Sequence, residues 1–180
     1  MIFKQVYRML NMMQANTSYG NKLKYLRKAG ARIGDRTKLN CSVAAFGVEP
    51  YLVSLGENCL ISSGVRFITH DGGVKVLSDL GYFGDERMDL IAPVKVGNNV
   101  YIGVDAFIMP GVTIGDNCVI GAKAIVTKDI PDNSVAVGIP ARVIRTIDEY
   151  YRNAVDKGYL YPTAKMSVKE KKTYFMEKFK

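Results

Sequence analysis

Six residues is the period that most constrains this chain. Across residues 96–130 the aliphatic residues Val96, Ile102, Ile108, Ile114, Ile120 and Val126 recur at that interval, and a mostly smaller apolar set, Val100, Ala106, Val112, Cys118, Ala124 and Ile130, follows four positions behind. Glycine comes directly after the first member at Gly97, Gly103, Gly115 and Gly121. An amphipathic helix repeats near 3.6 residues and an alternating strand at two, so neither accounts for the spacing. Six residues suffice for one short flat strand and a turn, and three such hexads close a triangular coil. Each inward side chain then stacks on its equivalents about 4.8 Å above and below. Gly, Asn and Asp at the corners tolerate tight bends and positive φ. The pattern predicts an all-β solenoid, a parallel β-helix whose dry interior is a ladder of Ile, Val and small residues.

Traced outward, the period begins near Ile33 and Leu39, becomes irregular through AFGVEPYLVS, and resumes at Leu55, Ile61 and Phe67, with Cys59 and Val65 at the smaller inward position. It stops after Phe67 and restarts at Val96, 29 residues later where 6 are expected, so about 23 residues leave the solenoid as a loop, residues 71–93. A long insertion in a regular solenoid is the place to look for a site. Residues 1–30 read as a helical segment: Ile2, Phe3, Val6, Tyr7 and Leu10 share one face, and a second short helix precedes Gly30. Its expected role is a cap on the open end of the solenoid, with an oligomer contact or a membrane-surface foot as alternatives. The solenoid occupies residues 31–140. Residues 141–180 form a helical tail, with a charged helix at about 148–156. Ser167 and Glu170 make a capping box ahead of a last helix that carries Tyr174, Phe175, Met176 and Phe179. The tail holds ten Lys or Arg against five Asp or Glu.

Over all 180 residues, 25 Lys and Arg against 17 Asp and Glu give a net charge of +8. That balance suits an anionic small molecule, lipid or nucleic acid without choosing among them, but no RNA-binding signature is present and a nucleic-acid partner is not expected. Cys59 and Cys118 fall on small inward positions, where a thiol packs as a compact hydrophobe. With an odd number of cysteines, Cys41 being the third, and no secretory signal in the sequence given, a reducing cytoplasm is the expected location. No apolar run approaches the length of a membrane span.

The chain's one histidine, His70, stands in FITHDGG, where the solenoid gives way to the loop. Imidazole titrates near neutrality, which fits a general base at the foot of a loop; an exposed loop histidine with no role is the alternative. Residues 93–144, PVKVGNNVYIG through PGVTIGDNCVIGAKAIVTKDIPDNSVAVGIPARVI, resemble the C-terminal half of the galactoside and maltose O-acetyltransferases and of capsule or lipopolysaccharide sugar O-acetyltransferases. These are hexapeptide-repeat acyltransferases. The resemblance, looser back to about Ile33, implies a left-handed parallel β-helix, a homotrimer with sites between subunits, acetyl-CoA as cosubstrate, and a small-molecule sugar acceptor. His70 matches the family's histidine before the extended loop, which deprotonates the acceptor hydroxyl, and THDGG is nearer to the capsule-type enzymes.

In that reading Asp71 is the candidate to orient the imidazole, with a solvated loop aspartate as the alternative, and a backbone amide on a neighbouring coil, Gly103 by position, holds the oxyanion during direct transfer. Tyr101 stands where the galactoside enzymes have a tryptophan, and Ala122, Thr127, Lys128 and Arg145 match the family's IGA, TKD and ARVIR positions along acetyl-CoA. Fixed cations at Lys128 and Arg145 suit its phosphates. Tyr82, Phe83 and Arg87, with Asp85 and Glu86, are the loop residues available to a sugar. No metal is expected, since a zinc site of the β-helical carbonic anhydrase type draws several histidines. N-acylation of an amino sugar or other amine, and a non-catalytic binding solenoid, remain as alternatives.

Overall fold

The computed structural model describes residues 2–180, except for the side chains of residues 2–5 and 8, so the side chains of the stripe positions Ile2 and Phe3 lie outside what is described. A first compact unit ends at Ile147 and a second comprises Asp148–Lys180.

The first unit opens with helices α1 (Ile2–Ala15) and α2 (Tyr19–Lys28). Ser18 caps α2, its hydroxyl accepting from the Asn21 amide at 3.2 Å. α2 is tied to the first coil. Leu26 is wholly buried in the core, Lys22 Nζ donates to the carbonyls of Leu39 and Cys41 at 2.9 and 2.6 Å, and the Tyr19 hydroxyl donates to that of Thr37.

Short strands then build three sheets. The first contains β1 (Arg32–Ile33), β3 (Val53–Leu55), β8 (Val94–Val96) and β11 (Thr113–Ile114). The second runs through β2 (Lys38–Leu39), β4 (Leu60–Ile61), β9 (Tyr101–Ile102), β12 (Val119–Ile120) and β14 (Ser134–Gly138), and the third holds β5 (Arg66–Phe67), β10 (Phe107–Ile108) and β13 (Ile125–Val126). Every pairing among these strands is parallel. Lys95 pairs with Thr113, Tyr101 with Val119 and Phe107 with Ile125, each 18 residues on, so three hexads make one coil.

Spacings above 18 locate the insertions, whereas the last coil, in which Val119 pairs with Val135, is two residues short. Ser54 pairs with Lys95 and Arg66 with Phe107, 41 residues apart, and 41 less 18 leaves the 23 expected of the loop. Arg32 pairs with Ser54 and Lys38 with Leu60, 22 apart, so the first coil carries four additional residues. These are accommodated in two 3-10 turns, Val43–Phe46 and Pro50–Leu52, and the Phe46 ring packs inside against Phe67 with centroids 5.1 Å apart. Both insertions leave the solenoid at the same corner, between the third sheet and the first, on consecutive coils.

Inside, Ile61, Ile102 and Ile120 are fully buried and stack in register, and all three cysteines are buried. Burial raises each thiol's pKa, that of Cys41 to about 11.

The corners carry the Asn, Asp and Gly expected there, joined by Arg36 and Lys123. The left-handed positions are taken by Arg36, Asn58, Asn99, Asn117 and Asn133 at one corner, by Asp105 and Lys123 with Gly64 at the next, and by Gly111 at the third. The asparagines form a ladder, Asn99 Nδ2 donating to Asn117 Oδ1 at 2.9 Å and Asn117 Nδ2 to Asn133 Oδ1 at 3.0 Å. The glycine of the hexad serves close approach instead: a Cβ on Gly103 would lie 2.5 Å from the Ala122 nitrogen of the next coil.

The loop has its own order. β6 (His70–Asp71) pairs antiparallel with β7 (Leu90–Ile91), and α3 (Val74–Asp79) lies between them. At the far end, residues expected to begin the helical tail at 141 instead form β15 (Ala141–Thr146), antiparallel to β14. The chain reverses at 138–141, and β15 covers the edge that β14 would otherwise leave unpaired. Helices α4 (Ile147–Asp156) and α5 (Val168–Lys178) follow, the latter with the complete Ser167–Glu170 capping box.

Candidate active site

His70 is placed by strand pairing. β6 fixes its backbone opposite Ile91, and the preceding Thr69 carbonyl accepts from the Ala92 amide at 2.9 Å, so both feet of the loop are tied to the solenoid corner. The imidazole is 36% exposed and lies between two carboxylates: Nδ1 is 3.7 Å from Glu49 Oε1 and Nε2 is 3.6 Å from Asp89 Oδ1.

These carboxylates differ in environment. The Glu49 side chain is 11% exposed, and its other oxygen accepts from the buried Thr69 hydroxyl at 2.8 Å; the Asp89 side chain is 68% exposed. At nearly equal distances, solvent screens Asp89 far more, so Glu49 dominates the field at the ring. Asp71, the expected orienting residue, turns elsewhere. Its Oδ1 accepts from the Gly73 amide at 2.8 Å, closing a local turn in the loop. Consecutive strand residues point to opposite faces, which is why the neighbour of His70 is not its partner.

Glu49 was not among the expected residues, although the irregular period held a signal for it. It lies in the four-residue insertion of the first coil, one coil below His70 and at the same corner, so the two irregularities of the sequence meet in one place. Asp89 lies in the loop that the period exposed, but nothing in the sequence set it apart from Asp85 and Glu86.

The other expected residues distribute around the solenoid. Thr127 and Lys128 are exposed and follow β13 as Ile68 and Thr69 follow β5, so they share the His70 corner two coils away, about 10 Å along the axis. Gly103 and Ala122 adjoin at the neighbouring corner. The Gly103 amide donates to the Ile120 carbonyl at 2.8 Å, so it is committed to the coil ladder and is not free to hold an oxyanion. Tyr101 lies on the outer face of the second sheet, in register through Val119 and Val135 with Arg145 on β15. Of the loop residues, Tyr82 and Arg87 are exposed and Phe83 half-buried, as Asp85 and Glu86 are exposed; the loop residue that reaches His70 is Asp89. One chain therefore brings together His70, Glu49, Thr69 and Asp89, aligns Thr127 and Lys128 with them, and leaves Gly103, Ala122, Tyr101 and Arg145 on other faces.

Comparison with known proteins agrees with this architecture. The family model for the bacterial transferase hexapeptide (six repeats) matches residues 93–128. Protein CapG of Staphylococcus aureus is 39% identical over 172 residues, covering 95% of this chain and 94% of that protein. Galactoside O-acetyltransferase of Escherichia coli (strain K12) is 46% identical over 112 residues, 62% of this chain and 53% of that enzyme. Among solved structures, a galactoside acetyltransferase in complex with coenzyme A matches over 83% of both chains, with a TM-score of 0.53 and 27% identity. A six-residue period, coils of three parallel strands and a match over nearly the whole of CapG give one conclusion: the chain belongs to the hexapeptide-repeat acyltransferase family.

Proposed function

We propose that this acetyl-CoA-dependent acetyltransferase acts on a sugar hydroxyl, with His70 Nε2 as the general base and Glu49 as its positioning residue. The observation that carries the reading is the half-exposed imidazole at the foot of the loop, with a buried carboxylate behind Nδ1. The buried Glu49 carboxylate outweighs the solvent-screened Asp89 and favours the tautomer with its proton on Nδ1, which leaves the Nε2 lone pair on the solvent side beside Asp89. The acceptor hydroxyl gives its proton to Nε2 as its oxygen bonds to the thioester carbonyl carbon; the C–S bond breaks, and His70 returns the proton to the departing sulfur. No acyl-enzyme is needed. Glu49 stabilises the imidazolium while it carries the proton.

Acetyl-CoA is long and anionic, and the surface fits it in two respects. Thr127 and Lys128 extend the His70 corner along the coil axis, and Gly103 and Ala122 leave the neighbouring corner without bulk. Because these corners lie at opposite edges of the third sheet, we assign the complete site to a homotrimer in which the His70 corner of one chain faces the other edge of its neighbour. The coil is taken as left-handed, as the family resemblance implies, and Tyr82, Phe83, Arg87 and Asp89 are assigned to the acceptor side. The galactoside O-acetyltransferase of E. coli, the relative above named for its acceptor, supports a sugar hydroxyl.

N-acylation of an amino sugar is the second reading, favoured by the two carboxylates at the ring, which would also attract an ammonium group. Coenzyme A release measured with matched hydroxyl and amine acceptors separates the two. Faster release with the hydroxyl sugar, and its O-acetyl ester by mass spectrometry, supports the proposal. An amide product overturns it.

A further inference from the structure

The α1–α2 hairpin presents two surfaces that acetyl transfer leaves unused. Val6, Met9, Leu10 and Met13 are all exposed. At the α-helical 3.6 residues per turn they fall within an arc of about 100°, while Met12 and Ala15 turn another side of α1 to the core. Beside this stripe a groove of about 420 Å³ runs between the helices, lined by Tyr7, Asn11, Gln14, Tyr25, Lys24 and Lys28 among others. Residues 1–34 contain seven Lys or Arg and no Asp or Glu. Lys22 and Arg27 are engaged with the carbonyls of Leu39, Cys41 and Ile33, which leaves Lys24 and Lys28 at the groove.

We propose that this hairpin docks the protein on an anionic lipid surface, with the α1 stripe in the apolar boundary of the headgroups and Lys24 and Lys28 at lipid phosphates. Asp35, just beyond the hairpin, lies 3.8 Å from Arg27, away from Lys24 and Lys28 in the groove lining. An exposed apolar arc beside such lysines is the pattern of a helix that lies in a membrane interface. Length decides between lying and spanning: α1 has 14 residues, about 21 Å of helix against a hydrocarbon core of about 30 Å. Charge decides between lipid and a second copy of the same face. Two such faces carry like charge and repel, whereas an anionic leaflet attracts both. The proposal goes beyond acetyl transfer and does not depend on it, because its readout is vesicle binding.

The test is co-sedimentation of the full chain with phosphatidylcholine vesicles prepared with and without phosphatidylglycerol. The expected result is binding to the anionic vesicles alone, weakened by salt. Leu10→Glu with Met13→Glu should abolish it, and Lys24→Gln with Lys28→Gln should weaken it by about thirtyfold, at about one lysine's surface attraction each. Each variant is used once its melting temperature matches the parent; the lysine pair, on an exposed surface, keeps the test open where the apolar pair fails to fold. Equal binding to neutral and anionic vesicles, no binding to either, or undiminished binding by folded variants overturns the proposal. So does a change in oligomeric mass on Leu10→Glu and Met13→Glu, which would assign the stripe to a contact between copies.

Discussion

Replacing Glu49 by glutamine removes the charge behind His70 and little else. The amide oxygen of the new side chain can still accept from the Thr69 hydroxyl, which now donates to Glu49 Oε2 at 2.8 Å, and the volume is unchanged. The lost term is the attraction between the carboxylate and the imidazolium formed during transfer, at 3.7 Å. Coulomb's law at that distance gives about 1 kcal/mol in bulk water and about 4 kcal/mol at an effective dielectric of about 20. The carboxylate is nine-tenths buried and the ring a third exposed, so an intermediate value of about 2 kcal/mol applies, or about thirtyfold in kcat. The assay is release of the coenzyme A thiol at saturating acetyl-CoA, with kcat and KM determined separately. The loss should fall on kcat, with KM for acetyl-CoA and the melting temperature close to the parent's. Asp71→Ala, which removes only the local turn to Gly73, should leave kcat near that of the parent. A folded Glu49→Gln protein with kcat within twofold of the parent refutes the assignment, as does a large loss confined to Asp71→Ala.

Two further outcomes follow from packing and burial. Gly103→Ala places a Cβ 2.5 Å from the Ala122 nitrogen and 2.7 Å from the Gly121 carbonyl carbon, backbone atoms that move only if the coils part. An overpacking cost of about 1–3 kcal/mol should lower the melting temperature by roughly 3–10 °C; an unchanged melting temperature with weakened coenzyme A binding would make the glycine a ligand contact instead. The buried Cys41 thiol, raised from 9.0 to about 11, keeps its proton in the folded state where the unfolded chain gives it up. Its contribution is therefore intact below about pH 9 and is lost as the pH rises toward about 11, by at most about 2–3 kcal/mol. Urea denaturation across that window should give a steep decline in the parent and a shallower one in Cys41→Ala; parallel declines would contradict it.

The repeat was legible because burial on every coil imposes the same size and polarity at the same position, and register errors there would turn Ile102 or Ile120 outward. Counting alone therefore located the 23-residue loop and the irregular first coil. The capping box at Ser167 and Glu170 was equally local, two side chains answering two backbone amides. What escaped was non-local. Glu49 meets His70 only because both insertions leave at one corner, a juxtaposition made by coil closure, whereas adjacency in the chain favoured Asp71. β15 escaped because its pairing with β14 depends on a reversal at Gly138 and Pro140, and its residues carry no period of six. The corner glycines were legible as necessary, but their reason, a neighbouring backbone at contact distance, belongs to the stacked coil.

The central claim is that His70 moves the acceptor's proton. The direct measurement is the rate of acetyl transfer from acetyl-CoA to an accepted sugar by His70→Ala, alongside the calorimetric affinity of that variant for acetyl-CoA. Removing a general base should cost about 10²–10⁴-fold in rate, with acetyl-CoA affinity unchanged because the half-exposed imidazole acts on the acceptor. A variant that binds acetyl-CoA and transfers acetyl groups at the parental rate would contradict the account.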